Sequence, residues 1–192
     1  NFIKNDNVAL ILGYNFFYGQ SLTSKLEKSL LHKNGARIFL KKVNKPENYG
    51  IAKISKNSIE KILEKPKKFI SDQAITGLYF FDNKVYKYAK TLKPSKRGEL
   101  EITDLLEKYK KNNELSAYTI SRGGAWLDTG SIDDFYKTTN FVSAIENRQG
   151  FKIACLEEIA LNNKWINKTQ IKRSINFYGN CEYSSYLKKL IK

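Results

Sequence analysis

The chain has 192 residues, 41% of them hydrophobic and 13% aromatic, which is enough to bury one sizeable core and excludes a disordered chain. No run approaches the ~20 apolar residues of a membrane span, so we expect a cytoplasmic protein without membrane partners. The net charge of +15 raises nucleic acid as a partner. Because 29 of the 34 basic residues are scattered lysines and no nucleic-acid motif accompanies them, nucleic-acid binding is not favoured.

Three elements are predicted at the start of the chain. Residues 8–12 are an all-apolar run followed by a glycine, which predicts a strand buried on both faces. Residues 21–33 predict a helix that ends near Asn34 and Gly35. The leucines on its apolar side are Leu22, Leu26, Leu30 and Leu31. Residues 36–43 predict a second strand, and this order of elements is typical of the beginning of a doubly wound sheet.

The middle of the chain predicts a hairpin, a strand and two helices. Residues 51–55 and 59–63 alternate in polarity and predict a β-hairpin. Residues 76–81 predict another strand. Helices are predicted over 84–92 and 99–112.

The last part of the chain changes from strands to helices. Strands are predicted over 116–121 and 125–127, and a long helix over 131–149. Beyond that helix the strand signals end, and three segments repeat apolar residues at helical spacing: 156–165, 169–177 and 182–191. The sequence therefore predicts an α/β domain over 1–150 and a small helical C-terminal subdomain over 151–192.

Few residue types remain for chemistry. The only histidine, His32, lies in a lysine-rich helical stretch and is predicted at the surface, so histidine catalysis is close to excluded. Cys155 and Cys181 stand singly, without Cys or His at ligand spacing, and are predicted as ordinary buried thiols. Carboxylates, lysines and aromatic residues near strand ends therefore provide the candidate sites.

Two segments place charged groups at the ends of predicted strands. Glu64 and Lys65 are adjacent, so we expect their side chains on opposite sides, the carboxylate suited to sugar hydroxyls and the lysine to a phosphate. Taken alone, the simpler interpretation is an exposed Glu-Lys pair. Asp128 follows an apolar tripeptide, and two interpretations stay open: a ligand of Mg²⁺, or a turn residue that opens the next helix. The other candidate segments are 49–50, 76–79 and 126–130.

Several blocks of the sequence resemble one protein family. LGYNFFYGQ is similar to that family's LGDNIFYG segment. The family's pattern also matches, in the same order, EKPKKFISDQAITGLYFFD, LKPSKRGELEITDLLEKY and RGGAWLDTGSIDDFYKTTNFVSAIENRQG. The family is that of the sugar-1-phosphate nucleotidylyltransferases, specifically the glucose-1-phosphate thymidylyltransferases that open dTDP-sugar synthesis. The resemblance covers essentially the whole chain.

The resemblance implies a fold, a reaction and a set of residues. The fold is a Rossmann-like mixed sheet flanked by helices, present in part, and the complete protein is a homo-oligomer. The reaction converts dTTP and glucose 1-phosphate to dTDP-glucose and pyrophosphate with Mg²⁺. By position, Lys65 holds the sugar phosphate, Glu64 binds the sugar hydroxyls and Asp128 binds Mg²⁺. The residues implied to line the sugar pocket or to position the reacting groups are Tyr49, Gly50, Ile75, Tyr79 and Trp126. A regulatory nucleotide site at a subunit interface is implied for Arg122 and Glu158.

The chain departs from the family pattern in two places. Its eleven glycines contain no G-x-G, and it has no methionine, so we expect a protein without the family's N-terminal third and its triphosphate loop. Tyr14 stands where the family has a second metal-binding aspartate, which should weaken Mg²⁺ binding. We therefore expect this chain to be inactive alone. The alternatives are a decayed remnant that binds sugar phosphate or a partner subunit, and a basic nucleic-acid binder.

Overall fold

The structure is a computed structural model that describes residues 3, 5–56, 58–96 and 98–192. It divides into two compact units, Asn1–Ser131 and Ile132–Lys192. The elements of the first unit are β1 (Val8–Ile11), β2 (Asn15–Tyr18), α1 (Leu22–Leu30), β3 (Ala36–Lys42), β4 (Gly50–Ser55), β5 (Ser58–Glu64), β6 (Gln73–Phe81), α2 (Val85–Ala89), α3 (Ile102–Lys111), β7 (Leu115–Thr119) and β8 (Ala125–Asp128). Those of the second are α4 (Ile132–Gln149), α5 (Leu156–Asn162), α6 (Lys168–Tyr178) and α7 (Glu182–Leu190). The long helix α4, which the predicted boundary after residue 150 assigns to the first domain, lies in the second unit.

A six-stranded mixed sheet forms the centre of the first unit. Its central strand, β6, pairs antiparallel with β1, β3 and β4, and β4 pairs with β5 in the predicted hairpin. β3 and β7 run in parallel. β1 and β4 contact opposite ends of β6, where Leu10 lies opposite Tyr79 and Ile51 opposite Ala74. A mixed sheet flanked by helices confirms the predicted fold class.

Two apolar cores cover the two faces of this sheet. Because side chains alternate along a strand, Ile38 and Tyr79 contribute to one core and Phe39 and Leu78 to the other. The first core includes side chains of α2 and α3. The second includes side chains of α1, β2 and β8. The sheet therefore lies between two helices on one face, and a helix with a two-stranded ribbon on the other.

The ribbon of β2 and β8 is missing from the sequence prediction, which placed no strand over Asn15–Tyr18. β2 pairs antiparallel with β8, so that Asn15 lies opposite Asp128 and Phe17 opposite Trp126. The two strands are far apart along the chain, and a four-residue strand has too few residues to show an alternating pattern. This pairing brings the segment 125–128 next to the turn that follows β1.

The first strand is predicted to be buried on both faces, and this is wrong. Val8 and Leu10 pack against the first core, whereas the side chain of Ile11 is 59% exposed. Among the described strands β1 has one neighbour, β6, so it is a half-covered edge strand.

The first helix is shorter than its leucine pattern predicts. α1 ends at Leu30, and both Leu30 and Leu31 are exposed. The predicted stop at Gly35 lies beyond the end of the helix. The N–H of Gly35 donates to the buried carboxylate of Asp82 at 2.7 Å, and Gly35 directly precedes β3. The remaining predicted elements are present, with ends shifted by a few residues.

The second unit contains helices and, in its described residues, no strands. Ile171, Ile175 and Leu187 form its core with the thiol of Cys155, which is buried as predicted. Cys181 is exposed, so its prediction as a buried thiol is wrong: it precedes α7, where its sulfur accepts the N–H of Ser184. No helix in the described ranges is both long and apolar enough to cross a membrane.

Candidate functional site

A cleft of about 340 Å³ lies in the first unit. Its walls come from the turn after β1, the segment before β4, the end of β5, the middle of β6, the residues that lead into α3, and β8. The residues predicted from the sequence that line it are Tyr14, Tyr49, Gly50, Glu64, Lys65, Ile75, Tyr79, Trp126 and Asp128. The fold thus gathers the predicted sugar, phosphate and metal residues in one place, although they span more than a hundred positions of the chain.

Glu64 and Lys65 line the same cleft, as expected of two groups that serve different parts of one ligand. Lys65 has a φ of 39°, in the left-handed region, so the alternation of β5 stops at this residue. Its N–H donates to the carbonyl of Tyr49 at 3.0 Å, and the following residue, Pro66, is buried. These contacts hold a backbone conformation that is unfavourable for lysine at the residue that follows β5.

Gly50 leaves room for ligand beside Glu64. A Cβ atom at Gly50 would lie 3.0 Å from Glu64 Oε2 and 3.2 Å from Thr103 Cγ2, closer than ordinary packing allows. A side chain at this position would therefore push on the carboxylate predicted to bind sugar hydroxyls.

Two aromatic rings form another wall of the cleft. The rings of Tyr49 and Trp126 meet edge to face, with centroids 5.2 Å apart. The indole N–H of Trp126 donates to Asn15 Oδ1 at 2.5 Å. Pairs of this kind are rigid and apolar, and they suit the face of a sugar ring.

Tyr14 lies in the turn that follows β1, and Asp128 is the last residue of β8. The carbonyl of Tyr14 accepts both the N–H and the hydroxyl of Thr129, at 2.7 and 2.9 Å. Partial burial, followed by the charges of Asp128 and Glu64, raises the pKa of the Tyr14 phenol. Asp128 Oδ1 accepts the N–H of Gly130 at 2.9 Å, the turn contact that one of the two open interpretations predicted. Its other oxygen leaves the metal interpretation open.

Acidic groups outnumber basic ones in the cleft. Of the described residues that line it, four are acidic and one, Lys65, is basic; the acidic residues are Glu64, Glu99, Glu101 and Asp128. Burial, followed by the proximity of Tyr14 and Glu64, also raises the pKa of the buried Tyr79 phenol. Carboxylates accept hydrogen bonds from hydroxyls, so most of this cleft suits a polyhydroxy compound, and a phosphate is attracted at Lys65.

Sequence reasoning did not single out several residues that line the cleft, among them Asn15, Glu99, Glu101 and Thr103. Asn15 directly follows Tyr14 in the quoted LGYNFFYGQ segment, but nothing in that pattern distinguished it. Glu99 and Glu101 lie in the quoted PSKRGELEITD block, where they were assigned to a helix; α3 begins only at Ile102. Thr103 belongs to the same block. For Glu99, Glu101 and Thr103, membership in this family motif was the signal that could have indicated a place in the cleft.

The two residues suggested for a regulatory site lie outside the cleft. Arg122 is exposed in a turn between β7 and β8. Glu158 belongs to α5 of the second unit, where it accepts the hydroxyl of Tyr186 at 2.5 Å. Their regulatory role stays a prediction.

The comparisons with known proteins decide the family. The model of the family described as nucleotidyl transferase matches residues 1–145. This chain belongs to the nucleotidyl transferase family. Within the family, glucose-1-phosphate thymidylyltransferases of Neisseria meningitidis and Xanthomonas campestris are 44% and 41% identical to it over the whole chain. The chain spans about two thirds of their length, 67% and 65%. The predicted membership in the thymidylyltransferase group of this enzyme family is confirmed.

Solved structures agree with this assignment. A Bacillus anthracis protein assigned as a glucose-1-phosphate thymidylyltransferase, solved in complex with a sucrose, is 39% identical, with a TM-score of 0.65. That match covers 73% of this chain and 56% of the other. The structure of an apo UDP-glucose pyrophosphorylase is 22% identical and has the same fold, with a TM-score of 0.62. That match covers 77% of this chain and 57% of the pyrophosphorylase chain.

Proposed function

We propose that the cleft is the sugar 1-phosphate site of a glucose-1-phosphate thymidylyltransferase. One observation supports this most strongly: the residues that the family pattern assigns to sugar and phosphate all line the same cleft. The complete protein would join dTTP and glucose 1-phosphate and release pyrophosphate, which leads to dTDP-sugars. That the complete protein is a cytoplasmic homo-oligomer stays a prediction.

In the proposed reaction, an oxygen of the sugar phosphate attacks the α-phosphorus of dTTP. A new phosphorus–oxygen bond forms as the bond to the β-phosphate breaks, and pyrophosphate leaves with that electron pair. The ammonium of Lys65 holds the attacking phosphate and offsets its charge, while Glu64 accepts hydrogen bonds from the sugar hydroxyls. The aromatic wall of Tyr49 and Trp126 fixes the sugar ring, so the protein contributes mainly positioning.

Among the described residues of the cleft, Asp128 is the carboxylate that the family pattern assigns to Mg²⁺. Among the described residues, no cluster of three or more Asp, Glu, His or Cys side chains is placed to hold a metal ion. Tyr14, beside Asp128, keeps a neutral phenol at neutral pH and is a poor ligand for a hard cation. We propose that Asp128 would hold Mg²⁺ together with oxygens of the triphosphate. When bound, the ion neutralises charge on the phosphates.

A second candidate function is a sugar-phosphate-binding protein without catalysis. Two features favour it for this chain by itself: the eleven glycines contain no G-x-G phosphate loop, and Tyr14 replaces a carboxylate of the family pattern. Backbone N–H groups of such a loop bind phosphates in a way that scattered lysines do not reproduce.

A pyrophosphate-release assay with dTTP, glucose 1-phosphate and Mg²⁺, run beside a binding titration, tests whether this chain by itself catalyses the reaction or only binds the sugar phosphate. We expect no release above background by this chain, and none by Tyr14→Asp, because the triphosphate has no loop to bind it. Both proteins should still bind glucose 1-phosphate in a calorimetric titration, and glucose should bind more weakly. Turnover by the wild type would show that the loop is dispensable. Failure to bind glucose 1-phosphate would reject both candidates.

A further inference from the structure

Asn15 connects the two sheets of the first unit at the floor of the cleft. It is the first residue of β2, and its N–H donates to the carbonyl of Leu12 at 3.0 Å, which closes the turn that carries Tyr14. Its side-chain Oδ1 accepts the indole N–H of Trp126 at 2.5 Å and the backbone N–H of Gly77 at 3.4 Å. One amide oxygen thus contacts the central strand β6 and the aromatic wall.

Gly77 provides the space that Asn15 occupies. A Cβ atom at position 77 would lie 2.3 Å from Asn15 Nδ2 and 2.8 Å from Asn15 Cγ, distances that no side chain tolerates. The carbonyl of Gly77 accepts the N–H of Leu12 at 2.9 Å, so both backbone groups of this glycine bond to the same turn. Asparagine at 15 and glycine at 77 are therefore matched in shape as well as in hydrogen bonding.

We propose that Asn15 is a positioning residue that sets the orientation of the Trp126 indole, and through it the ring of Tyr49, as the aromatic wall of the cleft. The proposal concerns how the wall is held, and its ligand-binding part rests on the proposed function. An indole N–H is a donor only, so its direction is fixed once a single acceptor is fixed. Here that acceptor is anchored to β6 at one side and to the turn after β1 at the other.

Removing the acceptor should release the indole without removing the turn. The backbone bond between Asn15 and Leu12 does not involve the side chain, so it remains in Asn15→Leu. Leucine has nearly the same shape as asparagine but cannot accept the Trp126 N–H, which is then left without a partner in a half-buried position. The ring turns to reach water, and the contact with Tyr49 is lost.

Fluorescence of Trp126 provides a test that needs no ligand. Trp165, the other tryptophan, is 71% exposed in the second unit, so Trp165→Phe makes Trp126 the single emitter. In that background we expect Asn15→Leu to raise acrylamide quenching of Trp126 by about twofold or more. Asn15→Asp keeps an acceptor oxygen and should quench like the parent. Asn44→Leu, an exposed asparagine outside the cleft lining, is the matched control and should also leave quenching unchanged.

A calorimetric titration with glucose 1-phosphate tests whether the orientation of the aromatic wall affects ligand binding. Loss of a positioned wall should weaken binding by Asn15→Leu roughly tenfold, the effect of one buried donor left unpaired, while Asn44→Leu binds like the parent. Unchanged quenching in Asn15→Leu would overturn the proposal, as would changed quenching with unchanged affinity. If the parent itself does not bind glucose 1-phosphate, the proposed function fails, and quenching alone still decides whether Asn15 holds Trp126.

Gly77→Ala should disturb the aromatic wall by displacing the side chain of Asn15. Its methyl group displaces the Asn15 side chain without changing residue 15, so it should give the same increase in quenching. If circular dichroism shows that Asn15→Leu does not fold, Gly77→Ala tests instead whether Asn15 orients the Trp126 indole. Normal quenching in a folded Gly77→Ala protein would contradict the proposal.

Discussion

Lys65→Ala is expected to weaken binding of glucose 1-phosphate by roughly tenfold or more, the loss of one charge-assisted hydrogen bond to phosphate. The reason is that Lys65 is the basic group among the described residues of a cleft that contains four carboxylates. Without its ammonium, the charged groups that the phosphate meets among the described lining residues are all carboxylates. Calorimetric titration at moderate ionic strength measures the change.

Two further variants test whether the loss of affinity is specific to the positive charge at Lys65. Lys67→Ala removes an exposed lysine of the same loop that does not line the cleft, and it should bind like the wild type. Lys65→Arg keeps the positive charge and should retain most of the affinity. Glucose without phosphate should bind the wild type and Lys65→Ala equally. If Lys67→Ala weakens binding as much as Lys65→Ala, the phosphate is held by the general positive charge of the chain and not by the cleft.

Gly35→Ala is expected to have the largest effect on stability, about 3 kcal/mol or more of unfolding free energy. Gly35 has a φ of +84°, and a Cβ atom there would lie 2.2 Å from the carbonyl oxygen of Glu114. That carbonyl also accepts the N–H of Ala36 at 2.7 Å, so it cannot move without breaking the start of β3. The N–H of Gly35 itself donates to the buried carboxylate of Asp82, which also accepts the hydroxyl of Tyr109 and the N–H of Lys84, so Gly35 is held from this side as well.

Gly98→Ala is the matched control for this prediction. Gly98 has a similar φ of +77°, but a Cβ atom there meets nothing within 4 Å. It should therefore cost only the backbone strain, about 1 kcal/mol. Urea unfolding followed by Trp126 fluorescence in the Trp165→Phe background compares the two variants. Equal losses of stability would show that the contact with Glu114 does not constrain β3.

The sequence predicts most of the fold because the long elements have strong periodic patterns. The hairpin of β4 and β5, the strand β3 and the C-terminal helices are present where their patterns place them. Of the ribbon of β2 and β8, the sequence predicts the strand β8 but neither β2 nor the pairing of the two strands. Each of its strands has four residues, and their partnership is decided by contacts across the whole unit.

The site is predictable in its membership but not in its geometry. A family motif identifies Glu64, Lys65 and Asp128, and strand alternation predicts that Glu64 and Lys65 serve different parts of one ligand, but neither predicts the backbone conformation of Lys65. The φ of Lys65 lies in the left-handed region, and its N–H donates to the carbonyl of Tyr49, a contact that no local pattern indicates. Asn15 is hidden for a related reason, because its partners Gly77 and Trp126 are remote in the sequence.

A crystal structure of this chain with glucose 1-phosphate tests the central claim most directly. We expect the sugar in the cleft beside Gly50, with its phosphate in contact with the ammonium of Lys65, its hydroxyls bonded to Glu64 and its ring against Trp126. Sugar phosphate bound elsewhere on the chain, with the cleft left to solvent, would contradict the account.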